Sequence, residues 1–576
     1  RFDLQLLVST LRMKFDEFIA QHLGGFGCYQ KLTFIFVLLP TLFCAFHSLS
    51  WTFTAPALVH RCRVPDEELL GRNEINYHSP AISLLNDNSS ELVCLETVEG
   101  GCNDFESCTL NGEKGCPYGY AFKDYSRYTA VERWNLVCDL HILKPVVQSS
   151  YYLGQLLGSL VFGFLSDRYG RKKILILAMF TQLISGFGMA YAPFWWLFAI
   201  FRTGAGFSHP GIFMTSIILG MELIPPNKRS NASVFAGVFF SIGQMILGGI
   251  AYSVSNYVFL QLFLTLPSFI FVFYFWLVPE SARWLVSQRR FDEADKHLRA
   301  TAKRNKKELP EKWWENIELE EEDPNKKKKK RNFWDLFKTP KVRSRTFVMF
   351  FCWPIVSMAY YGMSMKPDLL GTDPYINFII GGLSEIPASI LMFLTVERVG
   401  RRPLLCGGLT MAGLTLFSNL LVTKETPDII PTIQFLLSKS CMTLTYSTLY
   451  TFTPELFPTE IRNMAVGACS MIARFGASGA SFMVMFLVEI YGPSSITIPF
   501  GILVIAAAIV VALTLPETTG THLPETIVEL ERQKSEMKTN KNRMDIEQMI
   551  PLKGQVEASE KSNINESNEK IDGQQI

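Results

Sequence analysis

The sequence Gly-Phe-Leu-Ser-Asp-Arg-Tyr-Gly-Arg-Lys, at residues 163–172, joins two apolar segments, and a similar charged sequence, Glu-Arg-Val-Gly-Arg-Arg, recurs at residues 397–402. Each copy contains an acid, an arginine, a glycine and a second arginine in the same order. These residues are Asp167, Arg168, Gly170 and Arg171 in the first copy and Glu397, Arg398, Gly400 and Arg401 in the second. Charges that return at intervals in an apolar chain indicate where membrane spans reach the surface.

Two further pairs of stretches recur at nearly the same separation. Residues 222–229 read Glu-Leu-Ile-Pro-Pro-Asn-Lys-Arg, and residues 455–462 read Glu-Leu-Phe-Pro-Thr-Glu-Ile-Arg. Pro-Glu-Ser at residues 279–281 is matched by Pro-Glu-Thr at residues 516–518. A duplicated set of charged stretches predicts two similar membrane halves, which is the plan of many secondary transporters.

The composition is typical of a membrane protein, since 48% of the 576 residues are hydrophobic and only 19% are charged. Because about 20 apolar residues cross the hydrocarbon core of a bilayer, the sequence predicts twelve spans. The predicted fold class is an all-α membrane protein with twelve transmembrane helices in two pseudo-symmetric six-helix bundles, at residues 32–278 and 346–515. The predicted spans are 32–53, 146–166, 174–192, 195–220, 232–252, 257–278, 346–365, 375–396, 404–423, 430–453, 464–490 and 495–515.

The loops predict the orientation of these spans. The loop at residues 56–143 has seven Lys or Arg residues against fourteen Asp or Glu residues, whereas residues 286–345 have nineteen against twelve. Because positively charged loops stay in the cytoplasm, the central loop 279–345, the N-terminal segment 1–31 and the polar, mostly disordered tail 516–576 are predicted to be cytoplasmic. The acidic loop is then extracellular, in a multi-pass protein of the plasma membrane.

Half of the twelve cysteines lie in this extracellular loop, where an oxidising compartment favours disulfides. Six cysteines can form up to three disulfides, and fifteen different sets of pairings are possible. A metal site is the alternative, but the spacing lacks the two close cysteine pairs that such sites use. The same loop carries a glycosylation sequon at Asn88. The candidate cysteines are Cys62, Cys94, Cys102, Cys108, Cys116 and Cys138.

The repeated stretches resemble those of a known superfamily. Residues 163–172 resemble the signature of the major facilitator superfamily, and residues 279–285 and 516–520 resemble motifs of its sugar porters and organic-ion transporters. The six-cysteine loop, Gly-Gln-Met-Ile-Leu-Gly at residues 243–248 and Ala-Tyr-Tyr-Gly at residues 359–362 resemble the family of organic cation, organic anion and carnitine transporters, which are solute carriers. The resemblance implies a carrier of small organic ions that works by alternating access.

The charged stretches have an expected role in such a carrier. Asp167 lies close to Arg171 in the chain, and we expect a cytoplasmic cluster of such charges to hold the two halves together in one conformation. The alternative is that these residues only set the topology and anchor helix ends. The further expected pairs are Glu222 with Arg229 and Glu455 with Arg462.

Charged residues inside spans are usually functional, because burying a charge in the bilayer is unfavourable. Arg474 in the eleventh span presents a planar fork that suits a carboxylate. Glu385 in the eighth span can neutralise a substrate ammonium or pair with Arg474. Lys439 and Arg202 also lie within spans, and a structural pairing is the alternative for both.

Aromatic and amide residues complete the predicted substrate site. Trp353 and Tyr360 lie two turns apart on one face of the seventh span, and Tyr446 and Tyr450 form a matching wall on the tenth. Such walls suit amines through cation–π contact and flat rings through stacking, although packing between helices is the simpler explanation. The predicted substrate-binding residues are Gln244, Trp353, Tyr360, Tyr361, Glu385, Tyr446 and Arg474.

The family resemblance refines the expected substrate. Similar cation transporters carry Asp at the position of Arg474, whereas anion and carnitine transporters carry Arg there. Anion transporters tend to have a Lys four residues after the acid of the eighth span, where this chain has Ser389. Glu385 together with Arg474 is closer to the carnitine arrangement. We therefore rank zwitterionic or amphipathic organic ions first, organic anions second and organic cations third.

No enzyme signature is found in the sequence, and the lack of a Walker loop argues against direct ATP-driven pumping. We expect no cofactor, no bound metal and no nucleic-acid partner; the expected partners are the lipid bilayer, a small organic ion and, as an open point, a coupling or exchange ion. His47 is the best candidate for a proton-linked role, with a packed, hydrogen-bonded histidine as the favoured alternative. The other function classes left open are a receptor that uses the disulfide-rich loop and a channel.

Overall fold

The computed structural model describes the membrane part of the chain and portions of its loops. Twelve long helical elements dominate it, and they are named α1 to α12 in chain order. The described residues are 15–22, 27–63, 108–110, 113–114, 116–124, 126–224, 230–316, 332–367, 373–423, 425–427, 429–492, 494–521 and 523–531.

The helices of the N-terminal bundle follow the first six predicted spans. Pro40 interrupts α1, which consists of the segments Cys28–Leu38, Pro40–Leu49 and Trp51–Thr54, because proline lacks the N–H of a helical hydrogen bond. The middle of α6, Leu266–Phe273, is wound as a 3₁₀ helix. The six elements are α1 (the three segments just given), α2 (Leu143–Tyr169), α3 (Arg171–Tyr191), α4 (Trp195–Leu223), α5 (Ser230–Ser253) and α6 (Tyr257–Leu277).

The helices of the C-terminal bundle follow the other six predicted spans. Within α11, residues Met483–Leu487 form a π-helical turn. The observed bounds are consistent with the twelve predicted spans and their division into two bundles. The six elements are α7 (Pro340–Met365), α8 (Pro374–Val399), α9 (Arg401–Leu421), α10 (Ile429–Leu456), α11 (Arg462–Tyr491) and α12 (Ser494–Thr514).

Nine of the helices in the described part of the chain are long and apolar enough to cross a membrane. The other three, α2, α4 and α10, have 27, 29 and 28 residues, and about 20 suffice. They carry polar side chains such as Gln155, Arg202 and Lys439, all of which are fully buried inside the protein. Their lower apolar content therefore reflects a polar interior and not a position outside the membrane.

Glycines allow the closest contacts between helices of one bundle. A Cβ atom on Gly243 of α5 would lie 2.4 Å from the carbonyl oxygen of Leu42 in α1. A Cβ atom on Gly476 of α11 would lie 2.0 Å from the carbonyl oxygen of Pro354 in α7. Small residues at such contacts are common in membrane proteins because they let backbones approach. Because α5 and α11 are each the fifth helix of their bundle, this close packing occurs at the same position in both halves.

The two bundles meet along two pairs of helices: α2 packs against α11, and α5 packs against α8. One end of the molecule carries the cysteine-rich loop, and the other carries the repeated charged stretches. We call the first the loop end, which contains His141 and Glu489, and the second the motif end, which contains Arg171 and Arg401. The residues predicted for the substrate site lie between these two ends.

At the loop end, two small antiparallel sheets organise the described part of the cysteine-rich loop. β1 pairs with β4, with His60 opposite Phe122, and β2 pairs with β3. Short helical segments at Ala130–Trp134 and Cys138–Leu140 then lead into α2. The strands are β1 (His60–Cys62), β2 (Thr109–Leu110), β3 (Glu113–Lys114) and β4 (Tyr120–Phe122).

Two disulfides fasten these sheets. Cys62 is bonded to Cys116, and Cys108 is bonded to Cys138. Disulfide bonding is therefore confirmed for four of the six predicted cysteines. Three positions named by the sequence analysis, Cys94, Cys102 and Asn88, lie outside the described residues.

The central connection packs on the N-terminal bundle at the motif end. Trp313 stacks on Phe18 of the N-terminal helix, Phe15–His22, with ring centroids 5.6 Å apart. The Trp284 Nε1 atom donates a hydrogen bond of 2.8 Å to the carbonyl oxygen of Asp167 at the end of α2. The connection is thus anchored beside the first charged stretch. Its described elements are Ala282–Ser287, Phe291–Arg304, Trp313–Asn316 and Asp335–Lys338.

The glycine contacts predict a specific loss of stability. In Gly476→Ala, the new methyl group would collide with the backbone of α7, so we expect destabilisation of about 1–3 kcal/mol, measured as a lower unfolding temperature in detergent. Gly479→Ala on the same helix is the matched control, since no atom lies within 4 Å of its added Cβ position. Equal unfolding temperatures for the two variants would refute the packing argument.

Candidate functional site

The intramembrane acid Glu385 of α8 is paired, and its partner is Lys439 of α10. The ammonium nitrogen of Lys439 lies 3.3 Å from Glu385 Oε1, and both side chains are buried. Two buried charges of opposite sign are tolerated because each neutralises the other. The sequence predicts Arg474 or a substrate ammonium as the partner of Glu385, whereas the structure places Lys439 there. This pairing agrees with the structural role that was the alternative for Lys439. Rotation of α8 and α10 about their axes, which sequence does not specify, brings the two residues together.

Glu385 also connects the two bundles. Tyr360 of α7 donates its hydroxyl to the Glu385 carboxylate at 3.2 Å, and Ser241 of α5 donates to it at 2.9 Å. Gln244, also on α5, donates its Nε2 to the carbonyl oxygen of Phe378 in α8 at 3.1 Å. The predicted residues Gln244 and Glu385 therefore lie at the same contact between bundles. Ser241 is a member of this contact that the sequence analysis did not identify.

Arg474 of α11 is the second predicted charged residue. It is 8% exposed and is hydrogen-bonded to Tyr361, and Tyr446 and Tyr450 lie close enough to act on its charge. Its Nε has no hydrogen-bond partner among the described residues, and no described acid neutralises it. A buried guanidinium group without an acidic partner among the described residues can receive an anionic group, because its planar fork matches the geometry of a carboxylate.

The aromatic residues predicted on α7 and α10 form a single cluster. Tyr360 and Tyr446 stack with centroids 5.5 Å apart and ring planes 6° apart. Trp353 meets Tyr450 edge to face at 4.7 Å. Trp353 is fully buried and donates its Nε1 to Thr453 at 3.0 Å. Trp353 therefore packs α7 against α10, which agrees with helix packing as the simpler explanation for this residue.

The N-terminal bundle contains a buried polar group of its own. Arg202 of α4 is fully buried and donates a hydrogen bond through Nη2 to Gln148 of α2, which agrees with a structural role. His47 is buried, and neither ring nitrogen has a hydrogen-bond partner among the described residues. The hydrogen-bonded histidine is instead His209, whose Nδ1 lies 2.8 Å from the Tyr151 hydroxyl. His209 could have been identified from the sequence, because it is a second histidine inside a predicted span.

The buried charges in the middle of the helices do not balance. Glu385 is the only acid among the buried residues that the structure describes, whereas Lys439, Arg202 and Arg474 are all buried cations. Lys439 neutralises Glu385, so Arg202 and Arg474 remain without an acidic counterpart among the described side chains. A low-dielectric region with an excess of positive charge attracts anions.

At the motif end of the N-terminal bundle, Arg171 is the centre of a charge network. Its guanidinium nitrogens lie 3.1 Å from Asp167 Oδ1 and 3.5 Å from Glu222 Oε2. It also donates to the carbonyl oxygen of Ser166 at 2.9 Å, which ties the end of α2 to the start of α3. Arg168 is exposed, and its guanidinium group lies over the ring of the neighbouring Tyr169.

The C-terminal bundle repeats this network with Arg401 at its centre. Arg401 lies 2.7 Å from Glu397 Oε1 and 3.1 Å from Glu455 Oε2. The structure thus pairs Glu455 with Arg401 instead of the expected Arg462, which donates its Nε to the carbonyl oxygen of Phe457 at 3.4 Å.

The charge networks bear on two further expectations. Glu222 is contacted by Arg171. Its expected partner Arg229 lies outside the described residues, so the pair of Glu222 with Arg229 stays a prediction. Both networks join helices of one bundle. Among the described residues they fix helix ends within each bundle in this conformation. That they hold the two halves together in another conformation stays a prediction.

The repeated Pro-Glu stretches supply a carboxylate to each network. Glu280 accepts a hydrogen bond of 2.9 Å from the backbone N–H of Arg171, and Glu517 accepts one of 3.0 Å from that of Arg401. An acid is favourable there because helix N-termini carry partial positive charge. The sequence analysis assigned no role to these acids, although their recurrence in step with the charged stretches was a usable signal.

Glycine occupies the same position in both charged stretches, and the backbone geometry explains why. Gly170 and Gly400 adopt φ values of +106° and +100°, which side chains with a Cβ rarely allow. A Cβ atom on Gly170 would lie 2.5 Å from Glu280 Oε2, and one on Gly400 would lie 2.9 Å from Glu517 Oε2. Glycine therefore permits both the turn and the approach of the carboxylate.

At the loop end, ion pairs and aromatic contacts cross between the bundles. Glu489 of α11 accepts hydrogen bonds from Lys144 of α2 at 2.7 and 2.9 Å and is also hydrogen-bonded to His141. Phe53 of α1 stacks on Tyr375 of α8, with centroids 5.0 Å apart. The bundles are thus held together at the loop end.

Two similar six-helix bundles with a polar centre and a duplicated charge network define a secondary transporter of the major facilitator type. Residues 114–529 match the family model described as sugar (and other) transporter. The chain is 36% identical over 538 residues to an organic cation transporter-like protein of Drosophila melanogaster, covering 90% of this chain and 93% of that protein. It is 33% identical over 551 residues to organic anion transporter 3 of Homo sapiens, covering 94% and 98%.

This chain therefore belongs to the sugar (and other) transporter family of the major facilitator superfamily and, within it, to the organic cation and organic anion transporters. The xylose transporter XylE from E. coli, in a partially occluded inward-open conformation, is similar in fold with a TM-score of 0.56 and 18% identity, covering 86% of this chain and 100% of that one. The protein is a membrane transporter and not an enzyme.

Glu517 predicts a pH dependence of stability. Burial alone would raise the pKa of Glu517, but hydrogen bonds from Thr519, Arg401 and Arg402 outweigh it and lower the pKa below its usual value. A lowered pKa in the folded state means that the carboxylate stabilises the protein at neutral pH and ceases to do so as pH falls through that value. We expect Glu517→Gln to unfold at a lower temperature than the unmodified protein at neutral pH, with the difference shrinking in acid.

Glu311→Gln is the matched control for this prediction, because Glu311 is an exposed carboxylate in the central connection. Thermal unfolding in detergent at several pH values checks the expectation, and Glu311→Gln should follow the unmodified protein throughout. A Glu517→Gln difference that does not change with pH would contradict it.

Proposed function

We propose that this transporter moves organic anions across the plasma membrane by alternating access, and that Arg474 binds the anionic group. The observation that supports this most directly is the pairing of Glu385 with Lys439, at 3.3 Å. Because of this pairing, Glu385, the one buried acid among the described residues, is not available to a substrate cation. Arg474, flanked by Tyr361 and Tyr446, is then the charge available to a substrate.

The ring cluster supports an aromatic or otherwise flat substrate. Tyr360 and Tyr446 stack in parallel, and Tyr446 interacts with Arg474. A carboxylate held by the guanidinium group would bring an attached ring against these faces, where stacking contributes about 0.5–1.5 kcal/mol. Gln244, bound to the backbone of α8, would line the same space from the other bundle.

A zwitterionic substrate, which the sequence analysis ranks first, is the second candidate. It requires Glu385 to exchange Lys439 for a substrate ammonium, and Ser241 and Tyr360 already hold the carboxylate in place for such an exchange. The names of the relatives include both cation and anion transporters, so they do not decide between the two. The pairing of Glu385 favours anions.

Replacing Arg474 provides the first test of the substrate class. We expect Arg474→Gln to lower the uptake efficiency for a labelled aromatic carboxylate by about tenfold or more, because a hydrogen-bonded charge is lost. Arg474→Lys keeps the charge without the planar fork and should lose less. Unchanged carboxylate uptake by Arg474→Gln, at an equal amount of protein on the cell surface, would remove Arg474 from the site.

Replacing Lys439 tests whether the pairing sets the charge preference. In Lys439→Met, the carboxylate of Glu385 loses its counter-charge, so we expect anion uptake to fall and competition by organic cations to appear. The double variant Lys439→Met/Glu385→Gln removes both charges and should recover anion uptake. If both variants behave like the unmodified protein, the pair does not determine selectivity.

We further propose that the motif end and both termini face the cytoplasm and that the loop end faces outward. The excess of Lys and Arg in the central loop supports this orientation, and so do the disulfides at the loop end, which form in oxidising compartments. Contacts of Glu489 with Lys144 then hold the outer end closed in this conformation. The participation of a coupling or exchange ion in transport remains a prediction.

Glu489→Gln tests the closed outer end. Because the variant loses the ionic contact between bundles, we expect the outward-open state to gain about 1.4 kcal/mol, which is about a tenfold faster reaction of a buried reporter with a membrane-impermeant thiol reagent. Ser364→Cys in α7 provides the reporter, since Ser364 is 1% exposed. Asp139→Asn, an exposed acid at the same end, is the control and should not change the rate. Equal rates for both variants would refute the closure.

A further inference from the structure

The last part of the cysteine-rich loop is bound to the N-terminal bundle by its backbone. The N–H of Tyr128 donates to the carbonyl oxygen of Ser255 at 2.8 Å, and the N–H of Tyr257 donates to the carbonyl oxygen of Tyr128 at 2.9 Å. Ser255 and Tyr257 lie where α5 turns into α6. These two hydrogen bonds fix the loop around Tyr128 against that turn, so this part of the loop moves with the N-terminal bundle.

The neighbouring residue Arg127 binds the last turn of α5. Its Nη1 donates to the carbonyl oxygen of Ala251 at 2.7 Å, and its Nη2 donates to that of Tyr252 at 3.0 Å. The last four carbonyl oxygens of a helix have no partner within the helix, and they carry a partial negative charge that favours a cation. The planar fork of the guanidinium group can reach two of them at once, so Arg127 is held in one position.

The same guanidinium group contacts the other bundle. Its central carbon lies 4.4 Å from the ring centroid of Tyr375, near the start of α8. Phe53 of α1 stacks on that ring, with centroids 5.0 Å apart and planes 16° apart. Tyr252 of α5 meets it edge to face at 6.0 Å. Tyr375 of the C-terminal bundle is therefore contacted by two rings of the N-terminal bundle and by the cation of its loop.

The loop end thus has a closing contact on each of the two helix pairs along which the bundles meet. Lys144 and Glu489 join α2 to α11, and Arg127 and Tyr375 join the end of α5 to α8. Opening toward the loop end has to separate both pairs. Loss of the ionic contact alone would leave Arg127 on Tyr375.

We propose that Arg127 is a gating residue of this transporter: it closes the loop end between α5 and α8 by contacting Tyr375, and it leaves Tyr375 when the protein opens outward. This inference rests on the proposed orientation and alternating access and does not depend on the class of substrate. The disulfide-bonded loop then takes part in the transport cycle, because it carries the cation that contacts the other bundle.

Arg127→Gln tests the contact, because it removes the cation and leaves the ring of Tyr375 in place. The measurement is the rate at which a membrane-impermeant thiol reagent outside intact cells reacts with the Ser364→Cys reporter, and the protein without the reporter gives the background rate. We expect the rate to rise about two- to fivefold, the effect of losing one cation–π contact at a partly exposed site, because the outward-open state becomes more populated.

Arg133→Gln is the matched control. Arg133 lies in the same loop, and its guanidinium carbon is 5.9 Å from the ring centroid of Tyr257 in α6. This contact also joins an arginine to a tyrosine ring, but it stays within the N-terminal bundle. Its loss should leave the rate of the Ser364→Cys reporter unchanged, and an increase equal to that of Arg127→Gln would overturn the gating role.

Tyr375→Leu tests the other partner. It removes the contacts with both Arg127 and Phe53, so the rate should rise more than in Arg127→Gln. The double variant Arg127→Gln/Tyr375→Leu should react no faster than Tyr375→Leu alone, because the contact between these two residues is already lost. If Arg127 only stabilised the end of α5, the two effects would add, and that result would contradict the proposal.

Two further variants separate this inference from the proposed orientation. Lys123→Cys, at an exposed position of the loop, should react from outside intact cells. If it reacts only after the cells are permeabilised, the proposed orientation fails and the gating role fails with it. If Lys123→Cys reacts from outside and Glu489→Gln accelerates the Ser364→Cys reporter, but Arg127→Gln does not, the inference about Arg127 alone is overturned.

Discussion

The ion pair between Glu385 and Lys439 determines the charge of the interior, and the rest of the site depends on it. Both groups lie where water is excluded, and leaving either one unpaired would be unfavourable by about 3–5 kcal/mol. Tyr360 and Ser241 donate to the same carboxylate, so the pair is fixed to two other helices, α7 and α5. Because this pair is neutral as a unit, the charge of Arg474 is not cancelled from within the protein.

Most of the fold could be predicted from the sequence, because its signals are long and redundant. Twelve apolar segments, each bounded by charges, predict twelve helices, and the recurrence of residues 163–172 at residues 397–402 predicts two similar bundles. The structure adds the physical reason for the recurrence: Arg171 and Arg401 each bind two acids and tie two helix ends together. Pairing partners were harder to predict, as Glu455 shows, because proximity in sequence favoured Arg462 over the distant Arg401.

Most residues of the candidate site could be predicted from the sequence, but the contacts between them could not. Glu385, Arg474 and Gln244 stand out because charges and amides are rare inside spans, but the sequence does not specify how each helix is rotated about its axis. That rotation decides that Lys439, and not Arg474, meets Glu385. An uncharged residue such as Ser241 gives no signal of its own, since serine in a span is more often packed than functional.

The two ends of the molecule differ in a way that bears on how it moves. The charge networks at the motif end lie within single bundles, so they make each bundle rigid without resisting separation of the two. At the loop end, Glu489 of one bundle binds Lys144 of the other, so opening there must break an ionic contact. Rigid halves joined by few exchangeable contacts favour rocking about the centre over local bending.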